Sequence, residues 1–307
     1  MGVIDTIYKV KKIIQPHYDT VHSISIFPSG NIISVSYDKS IKIYDSKFNN
    51  LQEIPNAHDN FINYVYIKDE YNFVTCSWDN NIKTWKKKIK KKNKKQNKFN
   101  LNKVIQNAHE YDTLCVIYTN NGNIISCSKD KTIKIWEKNN NFEYQLLTVL
   151  KTNNRVNSLL LLNDKNILVS SGNNGTKIWN CNNFECIFFS KEAICHNNNA
   201  LKRFDDDKII VGGNKGFIKI ISLKEKKIIQ EIYNNFECYA ICIIKEKGIF
   251  LIGGESKDIK IYKFDNFNVI HTIKNIDNEM IFGLTRLKDG SVASYGMDKK
   301  IKLFNVK

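Results

Sequence analysis

With 307 residues, 42% of them hydrophobic, the chain can build one large core or two ordinary domains and is too apolar for an unstructured polymer. It has no apolar run of about 20 residues and no leader-like pattern after Met1, which argues against a membrane-spanning or exported protein. Its formal net charge of +16 is uneven: residues 86–98 hold nine lysines, and without them the excess falls to +7. The eight cysteines show no CxxC spacing and several sit inside apolar runs, where a thiol behaves as a small hydrophobe. That usage suits reduced thiols and a cytoplasmic or nuclear location.

Residues 6–14 read as a strand with no partner nearby in sequence. Beyond them the chain repeats itself. The segment NIISCSKDKTIKIW (residues 123–136) has counterparts ending at Tyr44, Trp85, Trp179, Ile221, Tyr262 and Phe304, at intervals of 41, 51, 43, 42, 41 and 42 residues. Seven copies fill the chain and leave no room for a second domain. Within copy three, residues 101–106, 113–118, 124–128 and 132–136 read as strands, with Asn120-Asn121-Gly122-Asn123 as a turn. Four short strands per copy and no helical stretch predict an all-β ring, a seven-bladed β-propeller with four-stranded antiparallel blades. Residues 6–14 should complete the last blade beside 300–305, joining the ends of the ring and removing two exposed edges. The expected organisation is thus one domain over 1–307, with a basic loop, 86–100, inserted between blades two and three on the face opposite the turns described next.

His17, His58 and His109 each stand 21 residues before Asp38, Asp79 and Asp130, and each Asp stands six before Tyr44, Trp85 or Trp136. In this the chain resembles the WD-repeat family over essentially its whole length. The family's Gly before the His is replaced by Pro16, Ala57 or Ala108, and only Tyr44-Asp45 keeps the family's final acid. The resemblance implies that His, Asp, a second-strand Ser or Thr (Ser34, Thr75, Ser126) and the Trp form a hydrogen-bonded set locking each blade. An Asp-His-Ser trio invites a hydrolase reading, but one active site does not need three copies, and buried polar groups demand such partners anyway. The expectation is therefore no enzyme, no cofactor and no metal. Cys181, Cys186, Cys195 and His196 are too widely spaced for a compact zinc knuckle. Later copies are degenerate: Asn173 in the fourth, Gly212-Gly213 and Lys215 in the fifth, Gly253-Gly254 and Ser256 in the sixth. The seventh recovers Asp298, with Asp277 in the His position.

The family resemblance also implies that the His/Asp-loop face holds peptides or partner domains. The residue before each turn Asp is Tyr37, Trp78, Lys129, Gly172, Asn214, Glu255 or Met297. Tyr37, Trp78 and Met297 belong to blades adjoining around a closed ring. With Lys129 and the loop residues Tyr18, Phe61 and Tyr111 they form the candidate protein-binding patch, since aromatics in polar turns suit interface anchors. Chance aromatics on a partly apolar surface are the competing reading.

The lysines of the insertion are Lys86, Lys87, Lys88, Lys90, Lys91, Lys92, Lys94, Lys95 and Lys98. Three readings stay open: a solvated loop with no dedicated partner, docking to nucleic acid or an acidic protein, and a nuclear-import-like or acidic-membrane contact. Lysines without arginine forks or interleaved aromatics suit phosphate attraction, not base readout. Met1-Gly2-Val3-Ile4-Asp5-Thr6 matches the short acylation pattern, a cheap match beside a strand that must enter the ring. Two roles follow: a non-catalytic scaffold or adaptor of an intracellular complex, or a nucleic-acid-associated subunit of a ribosome- or RNA-processing particle contacting phosphate through the lysines.

Overall fold

The computed structural model describes residues 8–88, 98–195 and 197–306. Its strands form seven four-stranded antiparallel sheets, each running outward from a central channel. Blade one comprises Val21–Ile26, Ile32–Ser36, Ile41–Tyr44 and Asn50–Ile54; blade two comprises Ile62–Ile67, Asn72–Ser77, Ile82–Lys87 and Phe99–Ile105. The inner strands of blades three to seven are Thr113–Tyr118, Val156–Leu162, Leu201–Arg203, Cys238–Ile244 and Ile281–Arg286. Inner strands pack in succession from blade one to blade five, the second strand of blade five, Lys208–Gly212, meets the inner strand of blade six, and blade seven joins blade six to blade one, so the ring is closed.

The closing sheet contains Tyr8–Ile14 beside Ile301–Val306, as the pattern predicts. Pairing runs from Tyr8 opposite Val306 to Ile14 opposite Ile301, with one irregularity between Val10 and Lys12. Both chain ends thereby lose a free edge to one ladder.

Second strands such as Ile32–Ser36 and Ile124–Ser128 are buried throughout, because each sheet is covered on both faces by its neighbours. The third-strand aromatic is what couples blade to blade. Trp85 packs in one cluster with Phe27, Ile33 and Ile43 of blade one, Trp136 with Val74 and Cys76 of blade two, and Trp179 with Cys115 and Ile125 of blade three. Tyr44 packs with Ala293, Tyr295 and Leu303 of blade seven, closing the circle hydrophobically. The turns are equally regular. Lys39, Asn80, Lys131 and Lys299, each following the turn Asp, have φ of 68°, 67°, 67° and 64°. In the first three turns the Asp side chain bonds the backbone N–H two residues on at 2.9–3.0 Å, offsetting that strain.

The basic segment departs from expectation. Lys86 pairs with Asn100 and Lys87 with Phe99, and the Lys88 N–H donates to the Lys98 carbonyl at 3.0 Å. The described flanks of the segment, 86–88 and 98–100, therefore belong to one sheet, that of blade two, because each sequence copy starts on the outer strand of the preceding blade. Lys90, Lys91, Lys92, Lys94, Lys95, Gly2 and His196 lie outside the described residues.

Candidate functional site

The His/Asp loops owe their shape to three near-identical polar chains. In blade two, His58 Nδ1 lies 2.8 Å from Asp79 Oδ2, His58 Nε2 lies 2.8 Å from Thr75 Oγ1, and Trp85 Nε1 donates to that hydroxyl at 2.9 Å. Blade three repeats this with His109, Asp130, Ser126 and Trp136 at 2.8, 2.8 and 2.9 Å. In blade one, His17 meets Asp38 at 2.9 Å and Ser34 at 2.8 Å. A neutral imidazole satisfies every member: the indole N–H donates to the hydroxyl, the hydroxyl to Nε2, and Nδ1–H to the carboxylate. Burial holds His58 and His109 below the ordinary imidazole value despite the neighbouring acid. Burial acts to raise Asp79, but the bonds from His58 prevail and bring it to about 2; Asp38 and Asp130 are depressed by the same balance. Ser34, Thr75 and Ser126 are wholly buried, so no substrate reaches their hydroxyls.

Blade seven solves the same problem differently. Asp277 occupies the His position, and Lys302 Nζ sits 2.7 Å from Asp277 Oδ1 and 2.6 Å from Asp298 Oδ2, all three side chains 5% exposed or less. Blade four keeps the Trp179 bond to Ser170 at 2.8 Å, and blade six pairs the Tyr262 hydroxyl with Asn234 at 2.7 Å.

Inside this frame the channel mouth opens into a cavity of about 340 Å³. Its inner wall is built by a recurring defect. The pairing register slips at the second residue of the inner strand in six blades: His22, Asn63, Leu114, Asn157, Tyr239 and Phe282. A bulge takes that residue out of the ladder's register and re-aims its side chain, here into the channel mouth. All six line the cavity, joined by Tyr37, Trp78, Lys129 and Arg155.

The rings make contact across blades. Tyr37 stacks on Phe61 with centroids 4.5 Å apart and on His22 at 5.1 Å, and lies 5.7 Å from Trp78. Phe282 of blade seven reaches the His22 ring at 5.3 Å. Lys129 Nζ stands 4.2 Å over the Trp78 ring and 2.5 Å from Asp112. Arg155 Nε donates to Asn173 at 3.0 Å. Two cations thus line the mouth, and no carboxylate is among its lining residues. His22 Nδ1 donates to the Asn63 carbonyl at 2.7 Å, and burial lowers its pKa to about 4, so the ring is neutral at physiological pH.

Of the candidate patch, the fold brings together Tyr37, Trp78 and Lys129 at the cavity, with Phe61 stacked behind. Tyr18 and Tyr111 are 84% and 62% exposed and lie outside the lining, as does Met297, while Met280 and Phe282 line the cavity. Sequence reading missed the bulge residues. The signal was a fixed offset: His22, Asn63, Leu114 and Phe282 each precede the turn acid by 16 residues. Among the described residues no group of three or more His, Cys, Asp or Glu is placed to hold a metal, and no helix is long and apolar enough to cross a membrane.

A ring of seven antiparallel blades, locked by His–Asp–Ser/Thr–Trp chains and closed by the first strand, defines an interaction scaffold of a kind that typically lacks catalysis. Residues 8–45, 49–86 and 101–137 match the WD domain, G-beta repeat family, each match starting on the outer strand of the preceding sheet. Three of its repeats thus match the WD-repeat family, and the whole described ring is a seven-bladed β-propeller. It is similar to Lissencephaly-1 homolog 1 of Paramecium tetraurelia, 35% identical over 107 residues, which is 34% of this chain and 24% of that protein. The chain thus matches about a quarter of the length of this curated relative.

Proposed function

We propose that the protein is a non-catalytic adaptor that seats a segment of a partner protein in the channel mouth. The observation carrying this reading is the continuous cluster of Tyr37, Phe61, Trp78, His22 and Phe282, contributed by blades one, two and seven and left open to a cavity. Rigid aromatics around a preformed hollow suit an apolar anchor residue. Arg155 and Lys129, with no acid in the lining, suit an acidic side chain beside that anchor. Affinity capture with the intact chain and with a Tyr37→Ala/Trp78→Ala variant tests this. A stoichiometric protein lost only with the variant supports it; a partner set unchanged by the variant refutes it.

A second reading, a nucleic-acid-associated propeller, is favoured by the lysine field beneath blades two and three. Burial and then the charges of Lys68, Lys86 and Lys103 lower the pKa of Lys138, so these ammonium groups crowd one another. Phosphate contacts of this kind weaken steeply with salt. Recovery that requires nucleic acid and the segment 86–98 would select this reading; nuclease-resistant recovery would exclude it.

A further inference from the structure

At the opposite end of the channel lies a second cavity, of about 400 Å³, between the inner strands of blades one, two, five, six and seven. Its lining includes three cationic side chains, Lys202, Arg203 and Arg286, and no Asp or Glu. The two arginines are held from outside the lining. Arg203 makes a two-pronged contact with Asp164 at 2.9 and 2.8 Å, and Arg286 is paired with Glu246. Lys202 differs: it is the middle residue of the three-residue inner strand of blade five, one position in from Arg203, and its ammonium has no hydrogen-bond or ion-pair partner among the described residues. Its side chain is half-buried among the inner strands, and that burial is the main influence lowering its pKa.

A half-buried cation facing a cavity with no acid in its lining is free to take an anion from solution. We propose that the lower channel binds a small soluble polyanion, a compound with two or more phosphate groups, with Lys202 at its centre and Arg203 and Arg286 at its rim. The three cations stand on two separate blades, so charge on several sides of one compact ligand satisfies them better than a single carboxylate. The walls are inner strands, which admit a free small molecule more readily than a headgroup still fixed in a bilayer. This site is distinct from the aromatic mouth and from residues 86–100.

The test is calorimetric titration of the full chain with tripolyphosphate at low and physiological salt, alongside vesicles containing a phosphoinositide. The variants are Lys202→Met, Lys202→Arg, and lysine-to-glutamine changes across 86–98. The expected result is one site, weakened about ten- to hundredfold by Lys202→Met, as for loss of a charge-assisted contact, and within a few-fold of wild type in the other two. In anion-free buffer Lys202→Met should melt at or above the wild-type temperature, and only wild type and Lys202→Arg should gain stability from the anion. If Lys202→Met fails to fold, Lys202→Gln replaces it in the same comparison. Four outcomes overturn the proposal: no binding to wild type, equal binding to Lys202→Met, loss that follows the 86–98 lysines, or binding to vesicles alone.

Discussion

Replacing Lys302 by Met tests whether the buried ion cluster of blade seven does the work that His and Asp do elsewhere. The ammonium is 2.7 Å from one carboxylate and 2.6 Å from the other, with side-chain exposures of 5%, 2% and 4%. At an effective dielectric of about 20, each contact is worth ~6 kcal/mol of attraction, much of it offset by several kcal/mol of desolvation per ion. Lys302→Met removes the attraction and leaves both acids buried. Asp277 already sits above the usual carboxylate range, because burial outweighs the help from Lys302, and its Oδ2 has no hydrogen-bond partner. The expected loss at neutral pH is about 3–5 kcal/mol, or at least about 6 °C in Tm at about 2 °C per kcal/mol for a chain this long. Without the ammonium the folded-state pKa of Asp277 rises further above its unfolded value. The variant's deficit should therefore shrink as pH falls through the raised folded-state value toward about 3, below the unfolded Asp value of about 3.9, where the carboxyl is protonated in both states. Adding Asp277→Asn should recover a substantial part of the loss. Urea unfolding followed by tryptophan fluorescence measures each step. A loss under about 1 kcal/mol, or no recovery in the double variant, would refute the reasoning.

Deleting residues 1–15 removes the ladder on Ile301–Val306, whose bonds contribute about 0.5–1.5 kcal/mol each, so the whole ring should lose more than about 2 kcal/mol and scatter light at lower concentrations. A deletion that leaves the melting curve unchanged would contradict closure by that strand. His22, buried with a pKa of about 4, stays neutral when folded but takes a proton below about 6.5 when unfolded. Stability should fall by about 3 kcal/mol as pH drops from about 6.5 to 4, with His58 and His109 adding in the same direction. His22→Gln should flatten part of that slope in pH-dependent denaturation, and an unchanged slope would contradict the burial argument. A Cβ at Gly283 would come within 1.9 Å of the buried Tyr295 ring, so Gly283→Ala should cost about 1–3 kcal/mol by the same measurement.

The repeat, the blade number, the ring closure and the His–Asp partners were all legible in the sequence. The physical reason is locality: His17 and Asp38, or Ser126 and Trp136, lie within about half a repeat, and a fixed spacing on antiparallel strands brings them together. Three things were decided only by tertiary structure. The bulge at His22, Asn63 and Phe282 turns those side chains off the face that strict alternation assigns, so the cavity wall could not be read from period two. Third-strand lysines recur in every blade, yet Lys83 and Lys134 bond the carbonyls of Ala57 and Ala108 while Lys302 holds two buried acids, because only blade seven places an acid where the others have His, Asn or nothing comparable. And Lys202 looks like any strand lysine until five inner strands gather around a channel and place it beside Arg203 and Arg286 with no acid in the lining.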